Sequence, residues 1–141
     1  MNKSQIITNL NKEHFEFWHT ASLLPYSISS INGKWSVSQN VEHINIALLR
    51  VSNFLALPKT SIASNFGLAE RKSKNYETIT KVFKNTFENG VKSTEDFIPK
   101  MNLDTNITEL VNQGKDALSI FISNLQNWSE EELEIYNCPH P

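Results

Sequence analysis

Apolar residues recur at alternating spacings of three and four along most of this chain, a period that belongs to helices packed by one face. Residues 5 to 24 carry Ile7, Leu10, His14, Phe17, Ala21 and Leu24 in such a seam. A second seam runs Val37, Val41, Ile44, Leu48, Val51 and Leu55. A shorter one from about Asn75 uses Tyr76, Ile79, Val82, Phe83 and Phe87, and a fourth uses Ile107, Val111, Gly114, Leu118, Phe121, Leu125 and Trp128. Each places its apolar residues on one side of an α-helix. No strand-like alternation of useful length appears, so the expected class is all-α, with helices paired along their seams.

Local signals punctuate these seams. Pro25 ends the first, because proline clashes with the preceding turn and disfavours helix in the residue before it. Ser36 followed by Gln39 is a capping box: the serine oxygen accepts from the Gln39 N–H and the glutamine reaches back to the Ser36 N–H. Helix 2 is therefore expected to begin at Val37. Pro58 stops it. Residues 58 to 74, "PKTSIASNFGLAERKSK", are polar and irregular and are expected to form a long connection, which lets the helix that follows lie parallel. Gly90 is placed to end the third helix in the left-handed conformation. A loop containing Pro99 should fill residues 91 to 105. Asn106 with Glu109 is a weaker capping box, and Ser129 with Glu132 in "WSEEEL" is a strong one before a short turn.

Length and charge narrow the function classes. At 141 residues the chain suits one domain that can bury a core without a disulfide or structural metal. The net charge is -2 and the basic residues form no stripe, which argues against nucleic acid as a partner. A single cysteine, Cys138, forbids an intrachain disulfide and fits a reducing compartment. The N-terminus is too polar for a signal peptide and no run spans a bilayer, so the expectation is a cytoplasmic protein with no membrane partner.

Four histidines are the candidates for chemistry. His14 and His19 lie about 140° apart on their helix, too far to offer one face to a metal. His14 falls in the first apolar seam and is expected to be a core residue with one hydrogen-bond partner. His19 should be solvated. His43 lies about 110° from the centre of the second seam, beside Ala47 and Phe54, at the margin of the core. There it could face a neighbouring helix or water. No H-x-x-x-H or H-E-x-x-H pattern occurs, residue 40 is Asn so that His43 ends no Glu-x-x-His, and a lone imidazole holds no metal tightly.

The stretch "WSVSQNVEHI" resembles the first motif of the DinB-like superfamily, helical-bundle metalloproteins also called YfiT-like. In that family a Trp-Ser pair opens the second helix, a glutamine follows, and a histidine one turn later is the first metal ligand. Trp35, Ser36, Gln39 and His43 fall on those positions. The proline-ended first helix, the long connection after the second and the turn after the fourth agree with the same family, from about residue 5 to 141. The resemblance implies a four-helix-bundle type of fold in a single domain, residues 1 to 141, with His43 on its inner side. Family members continue past the "HP" at residues 140 and 141 with a helix carrying H-x-x-x-H, which completes a three-histidine site. The expectation is thus a C-terminally incomplete domain, with His43 in the cleft that helix would fill. His140 falls on the family's proline-flanked turn and is no substitute ligand.

Two functions follow as expectations. The first is a divalent-metal-dependent enzyme, of the thiol S-transferase type or of unassigned activity, using nickel or zinc and a small-molecule thiol. Its metal would not be held tightly by these 141 residues. Cys138 has nothing near it in sequence to make it a nucleophile. The second is a non-catalytic helical bundle acting as a binding module. An uncovered apolar face makes a homodimer the expected assembly.

Overall fold

A computed structural model describes residues 1–24, 34–71, 73–100 and 106–138. Six helices follow in order: α1 (Lys3–Leu23), α2 (Val37–Leu55), α3 (Lys59–Phe66), α4 (Tyr76–Glu88), α5 (Ile107–Gln126) and α6 (Glu130–Ile135), with a 3-10 turn at Glu95–Phe97. Among the described residues there is no strand, only an isolated bridge between Leu68 and Tyr136. The class is all-α. Pro25, Gly33 and His140 lie outside the described residues.

Capping fixes where the helices begin. Asn2 with Gln5, Ser36 with Gln39 and Ser129 with Glu132 each form a complete capping box. Each box satisfies two backbone donors at a helix start. Ser36 is the N-cap of α2 and Val37 its first residue. At α5 the expected box does not form: the Asn106 side chain accepts from the Thr108 N–H instead, so Glu109 is left out. Gly90 has φ 78. Its N–H reaches Phe87 O at 2.9 Å and the Val91 N–H reaches Thr86 O at 3.3 Å, the Schellman closure of α4.

α2 and α5 form the principal pair, and four hydrogen bonds from three side chains climb it. The Asn45 amide donates to Leu110 O at 2.8 Å. The Asn124 amide donates to Ser52 O at 3.1 Å and Oγ at 3.0 Å. Trp128 Nε1–H donates to Leu55 O at 2.8 Å, at the end of α2 where carbonyls lack helical partners. Positions rise together on both helices, so α2 and α5 run parallel. α1 runs antiparallel to α5: Lys3 Nζ meets Trp128 O at 2.6 Å, while Trp18 sits against Gly114.

The core has two centres. One gathers Trp18, Val41, Leu48, Ile107, Leu110 and Leu118, among others. The second joins Leu55, Ile62, Leu125 and Trp128. Two expectations need correction here. The stripe of α2 turns on Ser52, which is buried, whereas Val51 is exposed; the buried serine is kept by its bonds to Asn124. Residues 58 to 74 are not wholly irregular either, since α3 occupies 59–66. Ile62, 0 % exposed, holds that helix in the second core centre. Its short length and its lack of a side-chain cap leave tertiary burial to stabilise it.

Candidate functional site

The capping box sets the phase of α2 and so places His43 seven residues beyond its cap. His43 is half-buried. Its Nδ1 lies 2.8 Å from Phe97 O. A carbonyl only accepts, so Nδ1 carries the proton and donates, and in the neutral ring the lone pair is on Nε2. Trp35, just before the N-cap, folds back so that its ring centroid lies 4.8 Å from that of His43, inclined at 52°.

The segment around Phe97 is fastened to the same helix. Arg50 on α2 pairs with the Asp96 carboxylate at 3.4 Å, and its guanidinium lies 5.1 Å from the centroid of the Phe97 ring. Glu42 Oε1 accepts from the Lys100 N–H at 3.3 Å. Pro99 is buried. Residues 95–100 therefore form a strap along α2. The expectation of a cleft beside His43 is corrected on the Nδ1 side, where the strap, not an open groove, is its neighbour. The strap gave little sequence signal, because its contact to His43 uses a backbone carbonyl 54 residues away. Two acids, an aromatic and a proline in "EDFIP" are the local signal that this loop anchors something.

The other histidines are not brought to this place. His14 is half-buried and not in the core proper; its Nδ1 donates to Leu10 O at 2.8 Å, one turn back on the same helix. Trp18 takes the core position instead. His19 is exposed and stacks on Phe15, with centroids 6.3 Å apart. Cys138 is exposed as a residue, and the partial desolvation of its sulfur pushes the thiol up, the wrong direction for a nucleophile.

Among the described residues no group of three or more His, Cys, Asp or Glu could hold a metal ion. The donor set thus fits a metal at one position and not as a site: His43 is held as a metal-ligating imidazole is held, by a hydrogen bond from its other nitrogen to a backbone carbonyl. Among the described residues no set of partner ligands completes a site around it. Among the described residues no helix is long and apolar enough to cross a membrane. No family model matches this chain, and neither a curated protein nor a solved structure does.

Proposed function

We propose that this chain is a helical-bundle metalloprotein domain of the DinB-like type, in which His43 supplies one ligand to a divalent metal through Nε2. The observation that carries the reading is the 2.8 Å bond from His43 Nδ1–H to Phe97 O. It fixes the tautomer and leaves Nε2 as donor, the usual outer-shell arrangement of a metal-bound histidine. The Trp35, Ser36, Gln39 and His43 pattern adds the family resemblance. A bound nickel or zinc ion would supply Lewis acidity, lowering the pKa of a coordinated thiol or water. The described side chains give one ligand, and a tight site needs three or more. On this reading a small-molecule thiol is the substrate class, the reaction is group transfer to sulfur, and the compartment is the cytoplasm.

Zinc titration of the 141-residue chain tests it. Weak binding is expected, with His43→Ala barely changing it. The same titration on a chain extended through an H-x-x-x-H helix should give tight binding that His43→Ala abolishes. Tight binding by the short chain that is indifferent to His43 would sink the ligand reading.

A second reading is a non-catalytic homodimeric binding module. It is favoured by α4, in which no residue is buried and Tyr76, Ile79, Val82 and Phe87 are exposed. Metal analysis of protein purified without a histidine tag separates the two. A near-stoichiometric transition metal supports the first reading, and none supports the second.

A further inference from the structure

α4 carries an apolar face that its own chain leaves largely uncovered. The principal helix pairs do not include it, and none of its residues is buried. Tyr76, Ile79, Val82, Phe83 and Phe87 are between 39 % and 66 % exposed. Around the helix, Tyr76, Ile79 and Phe87 fall within about 40° of Phe83. The charged residues of the helix are Glu77, Lys81, Lys84 and Glu88, and each falls about 100° or more from Phe83. The face itself therefore carries no charge. A charged partner would find nothing to pair with there. A second copy brings the same neutral face, so the two can close on each other without desolvating an ion. The area agrees. With aromatic side chains of about 150–250 Å² each, the five residues leave roughly 400–500 Å² in water. Two such faces bury about 1,000 Å² together, the low end for a specific interface, where association is reversible.

We infer that α4 is a self-association helix: two copies pair it antiparallel across a two-fold axis beside residue 81, with Phe83 against Ile79 of the partner subunit and Tyr76 against Thr86 of the partner subunit. The inference rests on the second reading above, a homodimer, and adds to it the surface and the register. A two-fold axis makes every contact reciprocal, so one register must serve the whole seam. Here the same axis relates Phe83 to Ile79 and Tyr76 to Thr86. Each contact sets a larger side chain against a smaller one, which lets the two seams interdigitate. Antiparallel order also places the N-terminal end of one α4 beside the C-terminal end of the other, where the helix dipoles attract. A parallel pair would stack Phe83 on its own copy and bring like dipole ends together.

The test uses the whole 141-residue chain. Light scattering across the micromolar to millimolar range should show the wild type passing reversibly from monomer to dimer mass. Phe83→Glu and Ile79→Lys each put a charge into the seam, and each should stay monomeric throughout. Because no α4 residue is buried, both should keep the wild-type urea midpoint at low concentration. An equimolar mixture of the two variants should regain the dimer, since the antiparallel register sets the new glutamate against the new lysine. A parallel pair would set that glutamate against Phe83 and would not recover. If the wild type dimerises and Phe83→Glu does so equally, the inference is overturned while the homodimer reading survives on another face. Monomeric single variants whose mixture also stays monomeric overturn the antiparallel register. A wild type that remains monomeric at millimolar concentration removes the inference and the homodimer reading together.

Discussion

Gly114 is the point at which three helices meet. A Cβ there would lie 2.5 Å from Asn45 Oδ1 and 2.8 Å from both Cζ2 and Nε1 of Trp18. Asn45 and Trp18 are both buried, so neither side chain can swing into solvent to make room. Gly114→Ala gains about 1 kcal/mol of helix propensity and loses roughly 1–3 kcal/mol to overpacking. The second effect wins because an indole against α5 cannot yield without shifting α1. The expected outcome is a lower urea midpoint at unchanged m-value. An equal or higher midpoint would mean that Trp18 repacks at no cost. Gly114 was legible as a seam residue by its spacing. Its reason was not, because the indole and amide that crowd it come from helices 96 and 69 residues earlier in the chain. His43 follows the same division. Its place at the margin of the stripe is helical arithmetic, whereas its partner is a backbone carbonyl, which no residue type announces. Ser36 is the opposite case, since a cap is local. Its Oγ accepts from the Gln39 N–H at 3.2 Å, and Ser36→Ala should cost on the order of 1 kcal/mol in denaturant unfolding.

Elements with strong local signals formed as expected, and those that depend on distant contacts did not reveal themselves. The box at Ser129 announced α6. The same carboxylate that closes it also joins the rest of the molecule: Glu132 Oε2 accepts from the Ser129 N–H at 2.8 Å and meets Lys59 Nζ, at the start of α3, at 3.0 Å. The Lys59 ammonium in turn lies 3.3 Å from the centroid of the Trp128 ring. The Ser129 N–H first, then Lys59, hold the Glu132 carboxyl below its usual value. A carboxyl depressed in the folded state contributes stability above its unfolded pKa, and that contribution is lost as pH falls through the lower folded value. The window therefore starts near the ordinary glutamate value of 4.5 and extends below it. Glu132→Gln keeps an oxygen for the cap and removes the charge, so its melting temperature should fall less steeply than that of the wild type between about pH 5 and pH 3. Parallel slopes would show that the Glu132 charge, held by the Ser129 N–H and by Lys59, carries no net stability. α3 itself was hidden because its one deep anchor, Ile62, is joined in the octet by only two other apolar residues, Ala63 and the terminal Phe66. Ile62→Ala should cost about 2–5 kcal/mol, and hydrogen exchange should then speed first in residues 59–66.

At the scale of the molecule, burial is uneven. α2 and α5 share the core with α1, and every buried residue of the two centres lies on these helices, on α3 or at Trp128. α4 has sound ends: the Asn75 side chain accepts from the Thr78 N–H at 2.8 Å, and Gly90 closes the other terminus. Yet capping of this kind contributes only about 1 kcal/mol, and a 13-residue helix is marginal in water without an apolar face to bury. None of its residues is buried, and Tyr76 and Phe87 are 66 % and 61 % exposed. Its apolar seam was plain in the sequence, but period alone says that a face wants covering and not what covers it. In dilute solution the amides of α4 should therefore exchange well before those of α2 and α5, at a rate set by local opening and not by global unfolding. If the homodimer proposed above forms through this face, raising the protein concentration should slow exchange in residues 76–88 while leaving α2 and α5 unchanged, and light scattering should report twice the monomer mass over the same range. Exchange in α4 as slow as in α5 at the lowest concentration, with a monomer mass throughout, would show that the helix is stabilised within one chain and would remove the argument for association.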